Sequence, residues 1–277
     1  MLNDFTFVIT GKYDDTHLLM IHELKKYGRV ILSTYKSNIR SINDSLYDLV
    51  ILSSDDEMMP RGDNPWYLGN AYQSLLVYQS VMLSTTKYTI RCRTDMSISN
   101  ISYLIDVIQN TTSDKLCVSN VSWAINKPYH LGDHLIGGTT KLMQRVYTEM
   151  YNACVTGQFM YDGLDRYHSH EVNIFASLLK TKNKKVIEPE FLDNIWKWIW
   201  YHNYGTFSFP IHSATYNKLL IENFELIDYQ YLEPFYMDGK ATSIDERRSN
   251  SLLPCYPKIE NYGIENLSIP VGKNDDI

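Results

Sequence analysis

Short apolar runs alternate with amphipathic stretches through the first half of the chain. The runs that predict strands are FTFVITG (5–11), RVILSTYK (29–36), LYDLVILSS (46–54), KYTIRCRTD (87–95) and KLCVSNV (115–121). Apolar residues recur at helical spacing in THLLMIHELKKYG (16–28), NAYQSLLVYQSVMLSTT (70–86) and NISYLIDVIQN (100–110). Strands joined by helices in this order favour an α/β fold with a mostly parallel, doubly wound sheet.

Local signals set the ends of the predicted helices. Gly28 is the expected C-terminal stop of the first helix, and Asn70 is the expected N-cap of the second. Residues 55–69 are rich in Pro, Gly, Asp and Asn, so we predict a loop there, at the rim of the sheet.

The second half has a different pattern. GDHLIGGTTKLMQRVYTEMYNA (132–153) predicts a short strand that runs into a helix, and HSHEVNIFASLLK (168–180) predicts a helix that starts at Ser169. The aromatic stretch FLDNIWKWIWYHNYG (191–205) either lines a pocket or packs in the core. From about residue 230 the chain is polar, and we predict an irregular C-terminal wrap over 231–277.

Composition narrows the class of protein. With 44% hydrophobic and 21% charged residues, the 277-residue chain is expected to fold around a full core. A net charge of −6 argues against a nucleic-acid partner. The four cysteines have no CxxC or CxxH spacing, which argues against zinc. We see no signal peptide or transmembrane run, so we expect a cytoplasmic protein with at most peripheral membrane contact.

Small, polar and charged residues follow the predicted strands. They are Gly11, Ser33 and Thr34, Ser53 and Ser54, and Arg91, Arg93 and Asp95. In an open parallel sheet, ligands bind outside the carboxyl ends of the strands, so these residues form a candidate binding edge.

Arg91, Arg93 and Asp95 alternate along one predicted strand and are therefore expected to face the same way. Guanidinium groups suit a diphosphate, and a neighbouring carboxylate suits a divalent cation bridged by phosphate oxygens. The alternative is an Arg–Asp salt bridge that closes the strand.

The common catalytic motifs are missing. The chain has no GxGxxG, no GxxxxGK[ST] and no GxSxG, which argues against a dinucleotide site, a P-loop and a serine hydrolase. Two clusters could bind a metal, Asp133 with His134 and His168 with His170 and Glu171, but neither has zincin spacing. Lone histidines near helix starts are more often caps or core polar groups than ligands.

Several segments, taken in order, resemble the WavE lipopolysaccharide-synthesis family of glycosyltransferases. They are FTFVITG (5–11), LKKYGRVILSTYKSN (24–38), NAYQSLLVYQSVMLSTTKYTIRCRTD (70–95) and GDHLIGGTTKLM (132–143). The matching positions are Gly11, Ser33-Thr34-Tyr35, Asn70 and Gln73, Arg91 and Arg93-Thr94-Asp95, and Asp133 with Gly137. The chain departs from the family at Thr10-Gly11, where Gly-Pro is common, and at Tyr35, where Trp is common.

The resemblance implies a GT-A-like fold, in which a Rossmann-like nucleotide-binding half is continuous with an acceptor half. The halves would span 1–125 and 126–230 of one catalytic domain. The implied donor site is Thr10, Gly11, Tyr35, Asn70, Gln73, Arg91, Arg93 and Asp95. Within it, Thr10, Gly11 and Tyr35 would hold base and ribose. Asp95 would bind Mg²⁺ or Mn²⁺, although it is one acid where such folds often have two.

The implied reaction transfers a sugar from a nucleotide sugar to a glycan or lipid-linked glycan, with Arg91 or Arg93 neutralising the diphosphate. An inverting enzyme also needs a base, for which Glu171 and Asp133 are candidates, Glu171 being favoured. Two alternatives stay open. One is a non-catalytic nucleotide-sugar or glycan-binding relative. The other is a phosphohydrolase or another Rossmann-like enzyme such as a methyltransferase.

Overall fold

The computed structural model describes residues 4–54, 65–119, 132–156, 170–182, 221–228, 231–232, 235–237 and 240–241. The strands in these ranges are β1 (Phe5–Thr10), β2 (Gly28–Tyr35), β3 (Leu49–Ser53), β4 (Tyr88–Arg93), β5 (Met96–Ile98), β6 (Leu116–Ser119), β7 (Leu135–Thr139), β8 (Phe224–Ile227), β9 (Phe235–Met237) and β10 (Lys240–Ala241). The α-helices are α1 (Leu18–Leu24), α2 (Pro65–Met82), α3 (Ile101–Asn110), α4 (Thr140–Thr156) and α5 (His170–Lys182). Short 3₁₀ helices cover Asp15–His17, Lys36–Ser41 and Asp44–Leu46.

Seven of the described strands form one sheet in the order β3-β2-β1-β4-β7-β6-β8. Strand β1 pairs in parallel with β2 and β4, β2 pairs in parallel with β3, and β6 pairs in parallel with β8. Strand β7 runs antiparallel to both of its neighbours, β4 and β6. The prediction of an α/β fold with a mostly parallel sheet is therefore confirmed.

Helices pack against both faces of this sheet. Because side chains alternate along each strand, β1 contributes residues to a buried cluster on each face. Phe5, Phe7 and Ile9 of β1 pack in one buried cluster with residues of α1 and α3. Val8 points to the opposite face and packs in a second cluster with residues of α2, α4 and α5. The two faces of β1 are fully apolar or hydroxyl-bearing, as expected for a central strand that is buried on both sides.

Two predicted helix ends are wrong. Helix α2 begins at Pro65, so Asn70 lies inside the helix and is not its N-cap. Proline is well suited to a first helical position, because its missing N–H would have no partner there, and the predicted loop is therefore helix over 65–69. Gly28 begins β2, and α1 already ends at Leu24. A Cβ at Gly28 would lie 2.0 Å from the carbonyl oxygen of Phe5, so glycine lets β2 approach β1.

A small antiparallel sheet was not predicted. Strand β5 pairs with β9, and β9 pairs with β10. The sequence interpretation of 231–277 as irregular does not anticipate β9 and β10, because strands of two or three residues carry no periodic signal. The aromatic stretch 191–205 lies outside the described residues.

No helix in the described part of the chain is long and apolar enough to cross a membrane.

Candidate functional site

A cleft of about 520 Å³ opens at the carboxyl ends of β1 and β4, and we call it the switch-point cleft. The sheet order runs outward from β1 through β2 to β3, and then continues from the other side of β1 through β4. Open α/β sheets bind their ligands at such a point. The described residues that line the cleft are Thr10, Gly11, Lys12, Tyr13, Asp14, Tyr35, Gln73, Leu76, Arg91, Arg93, Thr94 and Asp95.

All of the predicted donor-site residues except Asn70 line this cleft. Asn70 lies on α2 one turn before Gln73, and its side chain is outside the description. Of the two predicted bases, Asp133 is buried beside the cleft, whereas Glu171 is the second residue of α5 and its side chain is likewise outside the description.

Gly11 allows two chain segments to meet at the mouth of the cleft. Its φ is +138°, a backbone conformation that L-residues rarely adopt, and an added Cβ would lie 2.8 Å from Thr94 Oγ1. The Thr94 amide donates to the carbonyl oxygen of Thr10 over 3.1 Å, and the Gly11 amide donates to that of Ser33 over 3.3 Å. The ends of β1, β2 and β4 are therefore joined by backbone hydrogen bonds beneath the cleft.

Arg91 forms the floor of the cleft and is 1% exposed. Its Nε donates a hydrogen bond of 3.1 Å to Thr10 Oγ1, and its Nη1 lies 3.5 Å from Asp133 Oδ2. Gln73 Nε2 donates to the same carboxylate oxygen over 2.8 Å. These contacts fix Arg91 between β1 and the segment that leads into β7.

Asp133 is a buried carboxylate surrounded by cationic or polar groups. Its Oδ1 lies 3.4 Å from His134 Nδ1 and 4.0 Å from Arg93 Nη1. Burial alone would raise the pKa of Asp133, but the charges of His134, Arg91, His170 and Arg93 hold it well below its ordinary value. A carboxylate held so firmly in its ionised form is a weak proton acceptor, so Asp133 is better suited to orienting the two arginines.

Arg93 and Asp95 form the salt bridge that the sequence left open as an alternative. Strand β4 ends at Arg93, and Asp95 lies in the following turn. Arg93 Nε donates to Asp95 Oδ1 over 2.8 Å, and Arg93 Nη2 donates to Asp95 Oδ2. Although partial burial works to raise the pKa of Asp95, the hydrogen bonds and charge of Arg93 lower it below its ordinary value.

The residues around Asp95 do not fit the divalent cation that the resemblance implies. Mg²⁺ and Mn²⁺ take carboxylate oxygens as ligands, but both oxygens of Asp95 accept hydrogen bonds from Arg93. Oδ2 of Asp133, the buried carboxylate beside the cleft, contacts Gln73 and Arg91. Within the described ranges, no three His, Cys, Asp or Glu side chains are grouped so that they could hold a metal ion.

His17 supports the chain segment behind the cleft and is not among the residues predicted from the sequence. Its backbone N–H donates to the carbonyl oxygen of Thr94 over 3.2 Å, and its ring Nδ1 lies 3.1 Å from the same oxygen. A nitrogen that faces carbonyl oxygens must carry the proton, so Nε2 accepts from the hydroxyl of Tyr47 at 2.6 Å. Burial lowers the pKa of His17, which keeps the ring neutral. The only hint in the sequence is a histidine among the apolar residues of a predicted helix.

His170, the first residue of α5, is buried near Asp133. Neither ring nitrogen has a partner among the described residues, although only 3% of the residue is exposed. Burial lowers its pKa to about 3, and the charge of Asp133 offsets only part of this effect. The buried hydroxyl of Tyr147 also lacks a partner within the described part of the chain.

A second cleft, of about 600 Å³, lies at the opposite edge of the sheet, where β4 begins and α4 starts. Its lining includes Lys87, Lys141, Arg145 and Lys182, together with Asp114. Among the described residues that line it, none is a predicted site residue. We call it the lysine cleft.

Comparison with known protein-family models gave no match, and comparison with curated proteins gave no significant match. The function therefore has to be inferred from the chemistry of the switch-point cleft, since a fold alone does not determine an activity.

Proposed function

We propose that the chain is a glycosyltransferase that moves a sugar from a nucleotide-sugar donor to a glycan or lipid-linked glycan acceptor. The observation that carries this proposal is the switch-point cleft, in which two arginines of β4 lie beside Tyr35 and Gln73. A volume of about 520 Å³ is in the range of small-molecule sites.

The division of the sheet supports a GT-A-like arrangement. Strands β3, β2, β1 and β4 form a fully parallel half with the cleft at its edge, as expected for nucleotide binding. Strands β7, β6 and β8 continue the same sheet as a mixed part, in which β7 and β8 belong to the expected acceptor half (126–230) and β6 to the expected nucleotide-binding half (1–125).

The base and ribose would bind at the β2 side of the cleft. Tyr35 ends β2 and meets the ring of Tyr72 edge to face, with the centroids 5.9 Å apart. The Thr34 hydroxyl donates to the carbonyl oxygen of Gly11 over 2.7 Å, which fixes the turn beside Tyr35. An aromatic ring next to a rigid turn suits stacking against a planar base.

The diphosphate would bind at the β4 side. Arg91 is buried, with its Nε bonded to Thr10 and its Nη1 3.5 Å from Asp133, whereas the Arg93 side chain is 33% exposed and Lys12 is exposed at the lip of the cleft. Negative charge builds on the diphosphate as the sugar departs. Fixed cations aimed at that charge stabilise the transition state more than the ground state.

The acceptor hydroxyl loses its proton during transfer. The low pKa and the burial of Asp133 make it a poor base, so Glu171 at the start of α5 is the better candidate if the enzyme inverts. If the enzyme retains configuration, neither acid has to act as a base.

A second candidate function is a non-catalytic nucleotide-sugar or glycan-binding protein. The observation that favours it is that the carboxylates nearest to the two arginines, Asp95 and Asp133, are both engaged in ion pairs. Binding without turnover is the behaviour that this alternative predicts.

The test is donor hydrolysis and transfer, measured as release of nucleoside diphosphate from a panel of nucleotide sugars. We expect release by the wild type, a loss of about 10²-fold or more in Arg93→Gln, and no change in the control Lys141→Gln in the lysine cleft. Binding of a donor without release would support the non-catalytic alternative. Neither binding nor release of any donor would contradict the glycosyltransferase function and the nucleotide-sugar-binding form of the alternative.

A further inference from the structure

We propose that the switch-point cleft neutralises a diphosphate with its own cations, Arg93 and Lys12. In the protein without ligand, Asp95 occupies the position on Arg93 that the anion would take, and it does not bind a metal. The identity of the ligand as a nucleotide sugar rests on the proposed function. The anion site itself does not, because it is argued from the side chains of the cleft.

The first step is the geometry of the Arg93–Asp95 pair. The guanidinium fork faces the carboxylate through Nε and Nη2, so both oxygens are used by one partner. Phosphate presents the same pair of acceptor oxygens to the same fork. Asp95 therefore occupies, within the protein, the position that a phosphate group would take on Arg93.

The second step is the charge near Asp95. A cation held by Asp95 would either displace the Arg93 guanidinium or share the carboxylate with it, and in both cases the two positive groups would stay close because both residues lie at the end of β4. Two positive groups in a partly buried site repel each other strongly. Oδ2 of Asp133 is engaged by Gln73 and Arg91, and a cation on its Oδ1 would lie next to the Arg93 guanidinium, 4.0 Å away.

The third step is the set of charges that line the cleft. Lys12, Arg91 and Arg93 are its cations, and Asp14 and Asp95 are its carboxylates. Asp14 caps the 3₁₀ helix Asp15–His17, because its Oδ1 accepts a hydrogen bond of 2.8 Å from the Thr16 amide. When an incoming anion displaces Asp95 from Arg93, it can bind Arg93 and Lys12, and Arg91 stays fixed beneath them.

The two possible roles of Asp95 predict opposite effects of its removal on the binding of a diphosphate. If Asp95 is a metal ligand, its removal abolishes metal-dependent binding of a diphosphate. If Asp95 competes with the diphosphate for Arg93, its removal frees the guanidinium and strengthens binding in the absence of metal. Asp95→Asn keeps the shape of the side chain and removes its charge, so it separates the two cases.

The experiment is isothermal titration calorimetry. Inorganic pyrophosphate is titrated in EDTA, and uridine and guanosine diphosphates are titrated both in EDTA and in Mg²⁺. We expect pyrophosphate to bind the wild type in EDTA, roughly threefold to tenfold tighter binding by Asp95→Asn, and roughly tenfold weaker binding by Arg93→Gln. Lys141→Gln in the lysine cleft should equal the wild type. Thermal melting of each variant shows whether it is folded.

Loss of binding in a folded Asp95→Asn variant, or binding of the diphosphates only in Mg²⁺, would overturn the proposal and leave the glycosyltransferase function standing. No binding of any probe in EDTA would overturn it as well. Binding of pyrophosphate in EDTA with the expected order of variants, but of neither nucleoside diphosphate, would support the anion site.

Discussion

Gln73 on α2 donates a hydrogen bond of 2.8 Å to Asp133, which lies two residues before β7 and is 4% exposed. The same carboxylate oxygen lies 3.5 Å from Nη1 of the buried Arg91. One acid thus joins a helix on one face of the sheet to the floor of the switch-point cleft.

We expect Asp133→Ala to lower the free energy of unfolding by about 3–5 kcal/mol, because it leaves the Arg91 guanidinium buried without a counter-charge. Urea denaturation measures this change. The control is Asp106→Ala on the exposed face of α3, which should stay within about 0.5 kcal/mol of the wild type. Equal effects of the two substitutions would contradict the role given to Asp133.

Gly11→Ala should destabilise the protein by about 1–3 kcal/mol, because the residue has φ +138° and a Cβ there would meet Thr94 Oγ1 at 2.8 Å. Thermal or urea denaturation checks this. Gly138→Ala is the matched control, since its Cβ would meet Leu116 Cδ2 and the Lys115 carbonyl at an ordinary 3.4 Å. A Gly11→Ala variant as stable as Gly138→Ala would show that the turn is not constrained.

The parts of the fold with a strong local pattern could be predicted from the sequence. Strands β1, β2 and β4 are apolar runs, and their order with the intervening helices is enough to indicate a parallel sheet. The start of α2 could not be placed, because Asn70 resembles an N-cap and only the fold reveals that the helix already begins at Pro65.

Most of the described residues that line the candidate site could be predicted from the sequence, but most of the contacts between them could not. Arg91 and Arg93 were expected at the end of β4, and both line the cleft. The partner of Arg91 could not be assigned from the sequence. The antiparallel pairing of β7 with β4 brings Asp133 next to Arg91, and no local sequence signal predicts this pairing. His17 was missed for the same reason, since its contacts with Thr94 and Tyr47 are 77 and 30 positions away in the chain.

Tyr47→Phe should destabilise the protein by about 1–3 kcal/mol, because it leaves Nε2 of the buried His17 without a donor. Chemical denaturation measures the effect. The control, Tyr151→Phe, keeps the stacking of its ring on Tyr78 and should be close to neutral. If Tyr47→Phe were neutral too, the hydrogen bond from Tyr47 to His17 would have no part in bracing the cleft.

Stability should fall as the pH is lowered from about 6.5 to 5. The pKa of His170 is about 3 in the folded state, against an ordinary value of 6.5 in the unfolded chain. The unfolded chain therefore binds the proton first and is favoured as the pH falls. His17 acts in the same direction, because burial lowers its pKa too. Each such group contributes a slope of up to about 1.4 kcal/mol per pH unit.

Urea denaturation at several pH values tests this. A His170→Phe variant should lose a substantial part of the slope between pH 6.5 and 5, whereas His22→Gln, on the exposed side of α1, should retain the slope of the wild type. An unchanged slope in His170→Phe would contradict the burial of a neutral imidazole beside Asp133.

The location of the donor site is tested most directly by a crystal structure with a bound nucleotide sugar. The proposed donor site requires the base to lie beside Tyr35 and the diphosphate to lie within hydrogen-bonding distance of Arg93, with Asp95 released from its ion pair. Nucleotide density in the lysine cleft, or at any place away from Arg93, would contradict it.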